Sequence, residues 1–292
     1  MILRESEYDL KKNGLLYSGE TSYIYRLEDG RLYKKAKSIL FDVCRRNGID
    51  YEAKILDTRA HAVKEIVSPL SAVYTDDRLS GFTMEEVEGP TLTDYDKDFT
   101  IEQVCDLWHY YELFHKLETI IEKANKVGIV MPDLCTCENI IVQKDGNLRI
   151  IDYDGNQFGE DDKSICFSTT LKHIREYVKS PKFMVKPQSF TTELDKTSLT
   201  ILMFLTIFNV DLNTIGMLDP SGERVTLKYI FDYLNLHDEQ FMNKVAANLS
   251  LTQKGTFLAP ELYRLAKEYY MLARPLPRHV VEGGYQKVLF KR

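Results

Sequence analysis

With 292 residues, 44% hydrophobic and 28% charged, the chain has the length for one large or two moderate units with real cores and no compositional bias toward disorder. Its net charge of -6 argues against nucleic acid or an anionic membrane as a main partner. The start, MILRESEYDLKK, lacks the apolar core of a signal peptide, the most apolar stretch, Leu199 to Val210, falls short of the ~18 residues of a membrane span, and five cysteines without framework spacing fit reduced thiols, so a cytoplasmic protein is expected.

Residues 15 to 37 predict three short strands, Leu15 to Ser18, Tyr23 to Leu27 and Arg31 to Lys35, with turns at Gly19-Glu20-Thr21-Ser22 and Glu28-Asp29-Gly30. The period of two puts Leu32 and Lys34 on one face of the third strand and Lys35 on the other. A helical pattern follows from Ile39 to about Val63, broken around Asn47-Gly48, and then two apolar strands, Leu70 to Tyr74 and Ser80 to Val87. Apolar residues recurring at three and four predict a long helix from Ile101 to Val127, with Thr100 and Gln103 as a capping box and Gly128 as its stop. His109 and His115 lie in it with no acid or cysteine at metal spacing and read as ordinary helix residues. Further helices are expected from Glu193, at Leu227 to Leu234, at Glu239 to Ala247, and at Pro260 to Leu272, where Pro260 takes the first helical position.

The stretch from Met131 to Phe158 carries the chemistry. Two apolar runs, Ile140 to Val142 and Leu148 to Ile151, flank the turn Lys144-Asp145-Gly146-Asn147, the pattern of a hairpin. Asp133, Asn139 and Asp152 fall at strand ends and supply hard oxygen ligands of the kind that Mg²⁺ with bound phosphates requires. Asp154 either adds an oxygen to that set or is an exposed loop acid. Cys135 and Cys137 lack a second pair and are expected to be small residues filling a loop.

The succession of Asp133, Asn139-Ile140-Ile141-Val142 and Asp152-Tyr153-Asp154-Gly155 resembles the catalytic loop and metal-binding segment of the protein-kinase-like fold, H-R-D-x-x-x-x-N followed by D-F-G. Met84-Glu85-Glu86-Val87-Glu88-Gly89 resembles that family's hinge. The resemblance implies an α+β, bilobal fold, with an antiparallel-sheet N-lobe in residues 1–89 and a mainly helical C-lobe in residues 90–292. It implies ATP and Mg²⁺ as cofactors, with Gly19, Thr21 and Ser22 at the phosphate loop and Lys34 on the α- and β-phosphates. Glu52 would pair with Lys34, Glu65 being the alternative. Leu32 would lie against the adenine, whose edge would meet the Glu85 carbonyl and the Val87 backbone. Asn139 and Asp152 would hold the metal, Asp133 would orient the acceptor hydroxyl and take its proton, and buried Asp195 would tie down the catalytic-loop backbone. Residues 153 to 192 would be the activation segment, with Ser164, Ser168, Thr169, Thr170 and Tyr177.

The implied activity is phosphotransfer to a hydroxyl, with a protein serine or threonine as the first acceptor considered. Two departures leave alternatives open. Asp133 and Asn139 are six positions apart where the family motif has five, and Met131-Pro132 stands in place of His-Arg. A catalytically impaired pseudokinase acting as a scaffold and a small-molecule kinase of the aminoglycoside or choline type are the rival readings.

Overall fold

The computed structural model describes residues 2–4, 14–95, 107–134, 137–159, 162–164, 184–186, 189–208, 210, 212–250 and 258–272, in a mixed α and β architecture. Five antiparallel strands form the body of its main sheet: β2 (Leu15–Ser18), β3 (Ser22–Arg26), β4 (Leu32–Ala36), β5 (Ser71–Thr75) and β6 (Arg78–Met84). A further strand, β1 (Ile2–Arg4), adds in parallel to the β5 edge, which the sequence reading did not anticipate. The order across the sheet is β1-β5-β6-β4-β3-β2.

The alternation in β4 works as the period of two requires. Tyr33 packs with Leu27 and Val73 in a small cluster on one face, whereas Leu32 and Ala36 join the main core on the other. That core runs without interruption from Ala36 through the hairpin to Ala266.

The helical run expected from Ile39 to Val63 is divided. Helix α1 (Ser38–Asn47) stops at Gly48, which adopts the left-handed conformation and returns its N–H to the carbonyls of Arg45 and Cys44. Helix α2 (Tyr51–Ile55) restarts on the Asp50 side chain, which accepts the Ala53 N–H. A 3₁₀ turn, Arg59–Ala62, completes the stretch.

Beyond α3 (Leu92–Tyr95) comes the long helix α4 (Leu107–Lys126); its expected beginning at 101–106 and the Thr100 cap lie outside the described residues. Strand β7 (Ile129–Val130), the hairpin β8 (Ile140–Val142) and β9 (Leu148–Ile150), and strand β10 (Gln157–Phe158) follow. Strands β11 (Met184–Lys186) and β12 (Ser189–Phe190) precede helix α5 (Glu193–Phe208), which is almost wholly buried. Helices α6 (Leu227–Tyr233), α7 (Glu239–Ser250) and α8 (Ala259–Leu272) complete the described chain. Ser168, Thr169, Thr170, Tyr177 and the tail from Arg274 lie outside it. No helix among the described residues is long and apolar enough to cross a membrane.

Backbone bonds join the sheet region to the hairpin: Val67 N–H to Ile150 O at 2.9 Å and Ile150 N–H to Glu65 O at 2.8 Å. After β6 the chain presses against β8, where Val142 donates to Pro90 O at 2.9 Å. At Gly89 (φ 143°) a Cβ would stand 2.4 Å from the Val142 carbonyl, so this approach needs glycine.

Candidate functional site

Strand β4 delivers Lys34 to the face of the sheet that overlies the end of the hairpin, and burial there leaves it 6% exposed. Its ammonium donates to Asp152 Oδ1 and to Asp154 Oδ1, the latter at 2.5 Å. The local backbone makes this double contact possible. Asp152 is left-handed (φ 65°) and opens a 3₁₀ turn, Tyr153–Gly155, that folds the second carboxylate back under the same lysine. Tyr51 of α2 donates its hydroxyl to Asp154 Oδ2 at 3.0 Å. Asp154 is thus buried and fully engaged, which rules out the exposed-loop-acid reading.

The electrostatics follow from these partners. Burial works against the Lys34 charge, but the neighbouring carboxylates of Asp152 and Asp154 and the hydrogen bonds to them outweigh it and raise the ammonium above its ordinary range. Burial, reinforced by the Asp154 charge, pushes the Tyr51 hydroxyl well above the usual phenol value, so it remains a donor.

Glu52 does not meet Lys34. Tyr51, Lys54 and Ile55 share the buried face of α2 at the helical spacing of three and four, which turns Glu52 outward, where it accepts the Tyr74 hydroxyl at 2.7 Å. Glu65 is not the substitute either, since its carboxylate takes Lys123 Nζ at 2.7 Å.

The inward position on α2 belongs to Lys54, a residue the sequence reading passed over. Its side chain is fully buried, and its ammonium donates to the Asn156 carbonyl at 2.6 Å and to Asp162 Oδ2 at 2.5 Å, 5.1 Å above the Phe158 ring. Asp162 in turn accepts the Phe158 N–H at 2.8 Å. Burial lowers the Lys54 pKa and the Asp162 charge opposes that fall. Ser164, donating to Gly155 O at 2.8 Å, closes the loop on itself. Two buried lysines therefore hold Asp152, Asp154, Asn156 and Asp162.

At the hairpin, the pairing of Ile140 with Ile150 brings Asn139 and Asp152 to the same end, and Ile151 N–H donates to Asn139 O at 2.9 Å. Asn139 Nδ2 donates to Asp133 Oδ2 at 3.1 Å and to the Asp133 carbonyl at 3.3 Å. Cys135 and Thr136, between them, lie outside the described residues. Asp195, at the start of α5, accepts the Met131 N–H at 2.9 Å, the backbone bond expected of it. Burial raises its pKa to about 8 against the pull of that N–H. With its amide oriented to satisfy both neighbours, Asn125 donates to Asp195 Oδ2 at 2.7 Å and to Ile129 O at 2.9 Å.

The segment after β6 leaves peptide groups available. Leu32 faces Met84 in the ladder, and Leu32 and Val87 pack partly buried against the main core. No backbone hydrogen bond to another described residue engages the Glu85 carbonyl or the Val87 peptide groups. The side chains anchor it instead, Glu85 pairing with Arg149 and Glu86 with Arg26.

The turn at Gly19 departs from a cradle of free N–H groups. Gly19 N–H is bonded to Ser22 O at 3.0 Å, Thr21 O accepts the Lys37 N–H at 2.8 Å, and Ser22 is buried in β3. What the turn presents is a cation: Lys37 Nζ donates to Gly19 O at 2.5 Å and lies 4.2 Å over the Tyr23 ring.

Among the described residues no group of three or more His, Cys, Asp or Glu side chains is arranged to hold a metal alone. Mg²⁺ does not require one, because it takes one or two carboxylates with substrate phosphates and water. The hard oxygens of Asp152 and Asn139 fit that requirement, with Asp154 beside them. Neither a protein-family model nor a curated protein matches the chain.

Proposed function

We propose that the protein is an ATP- and Mg²⁺-dependent phosphotransferase of bilobal, protein-kinase-like architecture, moving the γ-phosphate to a hydroxyl acceptor, with a protein serine or threonine as the first candidate. One observation carries this reading. A buried sheet lysine, Lys34, is bound to Asp152 at the hairpin end that also carries Asn139 and its partner Asp133. A cation, metal-type oxygens and an acid are thus assembled from separate segments, as phosphoryl transfer demands.

In this reading Lys34 holds the α- and β-phosphates, and the exposed peptide groups of Glu85 and Val87 bind the adenine edge beside Leu32. Asp152 and Asn139 would hold Mg²⁺, which when bound neutralises phosphate charge. The Asn139 amide fixes the Asp133 carboxylate, so that the acid can orient the acceptor hydroxyl. The acceptor oxygen bonds to the γ-phosphorus as the bond to the bridging β,γ-oxygen breaks, ADP leaves with that electron pair, and the hydroxyl proton passes to Asp133. Lys54 and Tyr51 act through other groups by holding the loop that carries Asp152 and Asp154.

ATP with MgCl₂ should stabilise the chain by about 2.7 kcal/mol at a hundred times its dissociation constant. Labelled γ-phosphate should reach an acceptor from a panel of proteins and metabolites, and Asp133→Asn should slow transfer by about 10²-fold or more. No stabilisation at millimolar nucleotide, or equal transfer by wild type and Asp133→Asn, overturns the assignment. Stabilisation without transfer to any acceptor favours the scaffold reading, and transfer confined to metabolites favours the small-molecule kinase.

A further inference from the structure

Away from Lys34, helices α4, α5 and α7 and Leu258 line a part-open cavity of about 310 Å³. That is the volume of roughly ten waters and the lower end of the range for small-ligand sites. Ile121, Leu199, Met203 and Leu258 give it apolar walls, and Glu118 and Asn248 enter it as buried polar groups, 1% and 3% exposed.

Their hydrogen-bonding state distinguishes this space from a packing defect. Glu118 Oε1 accepts the N–H groups of Leu258 at 3.2 Å and Ala259 at 3.3 Å, which anchors the carboxylate at the start of α8. Glu118 Oε2 and Asn248 Oδ1 are buried with no hydrogen-bond partner among the described residues; His115 Nδ1 lies 3.7 Å from Oε2. A buried acceptor without a donor is costly to desolvate, and two residues carrying such an atom line one cavity. Both need donors, and the acid needs a cation. Glu122 adds a negative charge to the wall, and Lys196, which also lines it, has a partner of its own.

We propose that this cavity binds a small molecule carrying a primary amine on a compact hydrocarbon body, its ammonium held by Glu118 and a second donor hydrogen by Asn248. The apolar walls would cover the body, and the ammonium would give Glu118 Oε2 the hydrogen-bond donor that it lacks among the described residues. Burial pushes the Glu118 carboxyl up to about 7, with Glu122 and Glu261 adding to the rise and the two N–H groups opposing it. An occupant bearing a positive charge would reverse that. The proposal is independent of phosphotransfer and is tested by binding.

The probes are phenethylamine and butylamine, with phenethyl alcohol, butanol and phenylacetate as size-matched controls, added to the full chain in calorimetry and in methyl NMR of labelled methionine. Millimolar phenethylamine or butylamine should bind and shift the Met203 methyl resonance, whereas the alcohols and the carboxylate should not. Glu118→Gln should weaken amine binding about tenfold or more. Asn248→Leu removes the second acceptor but keeps the Asn248 backbone carbonyl that Thr197 bonds at 2.6 Å, so it provides a variant expected to fold if Glu118→Gln does not. Equal shifts with amine and alcohol, no shift with either amine, or unchanged amine affinity in a folded variant overturns the proposal and leaves a cavity filled by water alone.

Discussion

The molecule engages its inner carboxylates in two different ways. Asp152, Asp154 and Asp162 are held by ammonium groups, two of them by Lys34 and the third by Lys54. Asp195 is held by the Met131 N–H and the Asn125 amide and Glu118 by two peptide N–H groups, and both are pushed toward neutrality, to about 8 and about 7, by burial. The difference is one of use. The lysine-held acids tie together segments far apart in the chain, whereas N–H donors let Asp195 and one oxygen of Glu118 fix backbone. Asp195 does this for Met131 at the edge of the Asp133 loop, and Glu118 does it for the start of α8.

The sharpest way to break the first arrangement is Lys54→Met. Removing one partner of a buried pair costs about 3–5 kcal/mol, most of it from stranding the other charge. Asp162 retains 19% of its side-chain exposure, so the lower end is expected. Urea unfolding of Lys54→Met, Asp162→Asn and the double variant measures the coupling, and the double variant should recover part of the loss. A single-variant cost under about 1 kcal/mol would show that Lys54 is not the tether.

The second arrangement makes its own demand on pH. A carboxyl whose folded pKa lies above its unfolded value binds its proton more tightly when folded. Its contribution is full below the unfolded pKa, near ~4, and is lost as pH rises through the folded value. For Asp195 the folded value is about 8, so wild-type stability should decline from mildly acidic pH toward pH 8. Asp195→Asn keeps an oxygen for Met131 but removes the titration, and should flatten that decline by about 2–4 kcal/mol across the window. Thermal unfolding at a series of pH values reads the difference between the two curves. Parallel curves would mean that Asp195 does not titrate in this range.

Tyr51→Phe asks whether Asp154 needs both of its donors. Hydrogen bonds to a charged group contribute about 1.5–3 kcal/mol, and the substitution deletes the 3.0 Å bond to Oδ2 while leaving the ring in place. A loss in that range in urea unfolding is expected. An unchanged midpoint would mean that Lys34 alone satisfies the carboxylate.

What the sequence could reveal of these two groups depended on distance along the chain. The Asp145-Gly146 turn, the alternation of β4 and the apolar face of α4 are local periodicities and were legible. Asp195 was reached through the family resemblance, since an acid at the start of a helix reads equally as a cap. Lys34 meets Asp152 across 118 positions and Lys54 meets Asp162 across 108, and no local spacing records either pairing. Neither was anticipated: the family resemblance placed Lys34 and Asp152 in one site but paired the lysine with Glu52, and Lys54 had no such guide. The parallel addition of β1 to β5 is hidden for the same reason. The cavity beside Glu118 is also invisible, since it depends on how three helices and the approach to a fourth pack together.

Glu52 shows where an ordering argument fails although local physics would have corrected it. Position in a series selects a residue, but the rotation of a five-residue helix is set by its apolar side chains, and Tyr51 and Ile55 bury the face that also holds Lys54. Glu52 is left exposed and accepts the Tyr74 hydroxyl, whose pKa rises to about 12 through burial and that hydrogen bond. The smallest effect in the series is therefore expected at Glu52→Gln. Gln retains an amide oxygen for Tyr74, so stability should move by less than about 0.5 kcal/mol, and stabilisation by ATP with Mg²⁺ should match wild type. A large loss of nucleotide-dependent stabilisation in Glu52→Gln would put the glutamate back beside Lys34 when nucleotide binds, and would make the Lys34 contacts to Asp152 and Asp154 a resting arrangement that α2 must rotate to break.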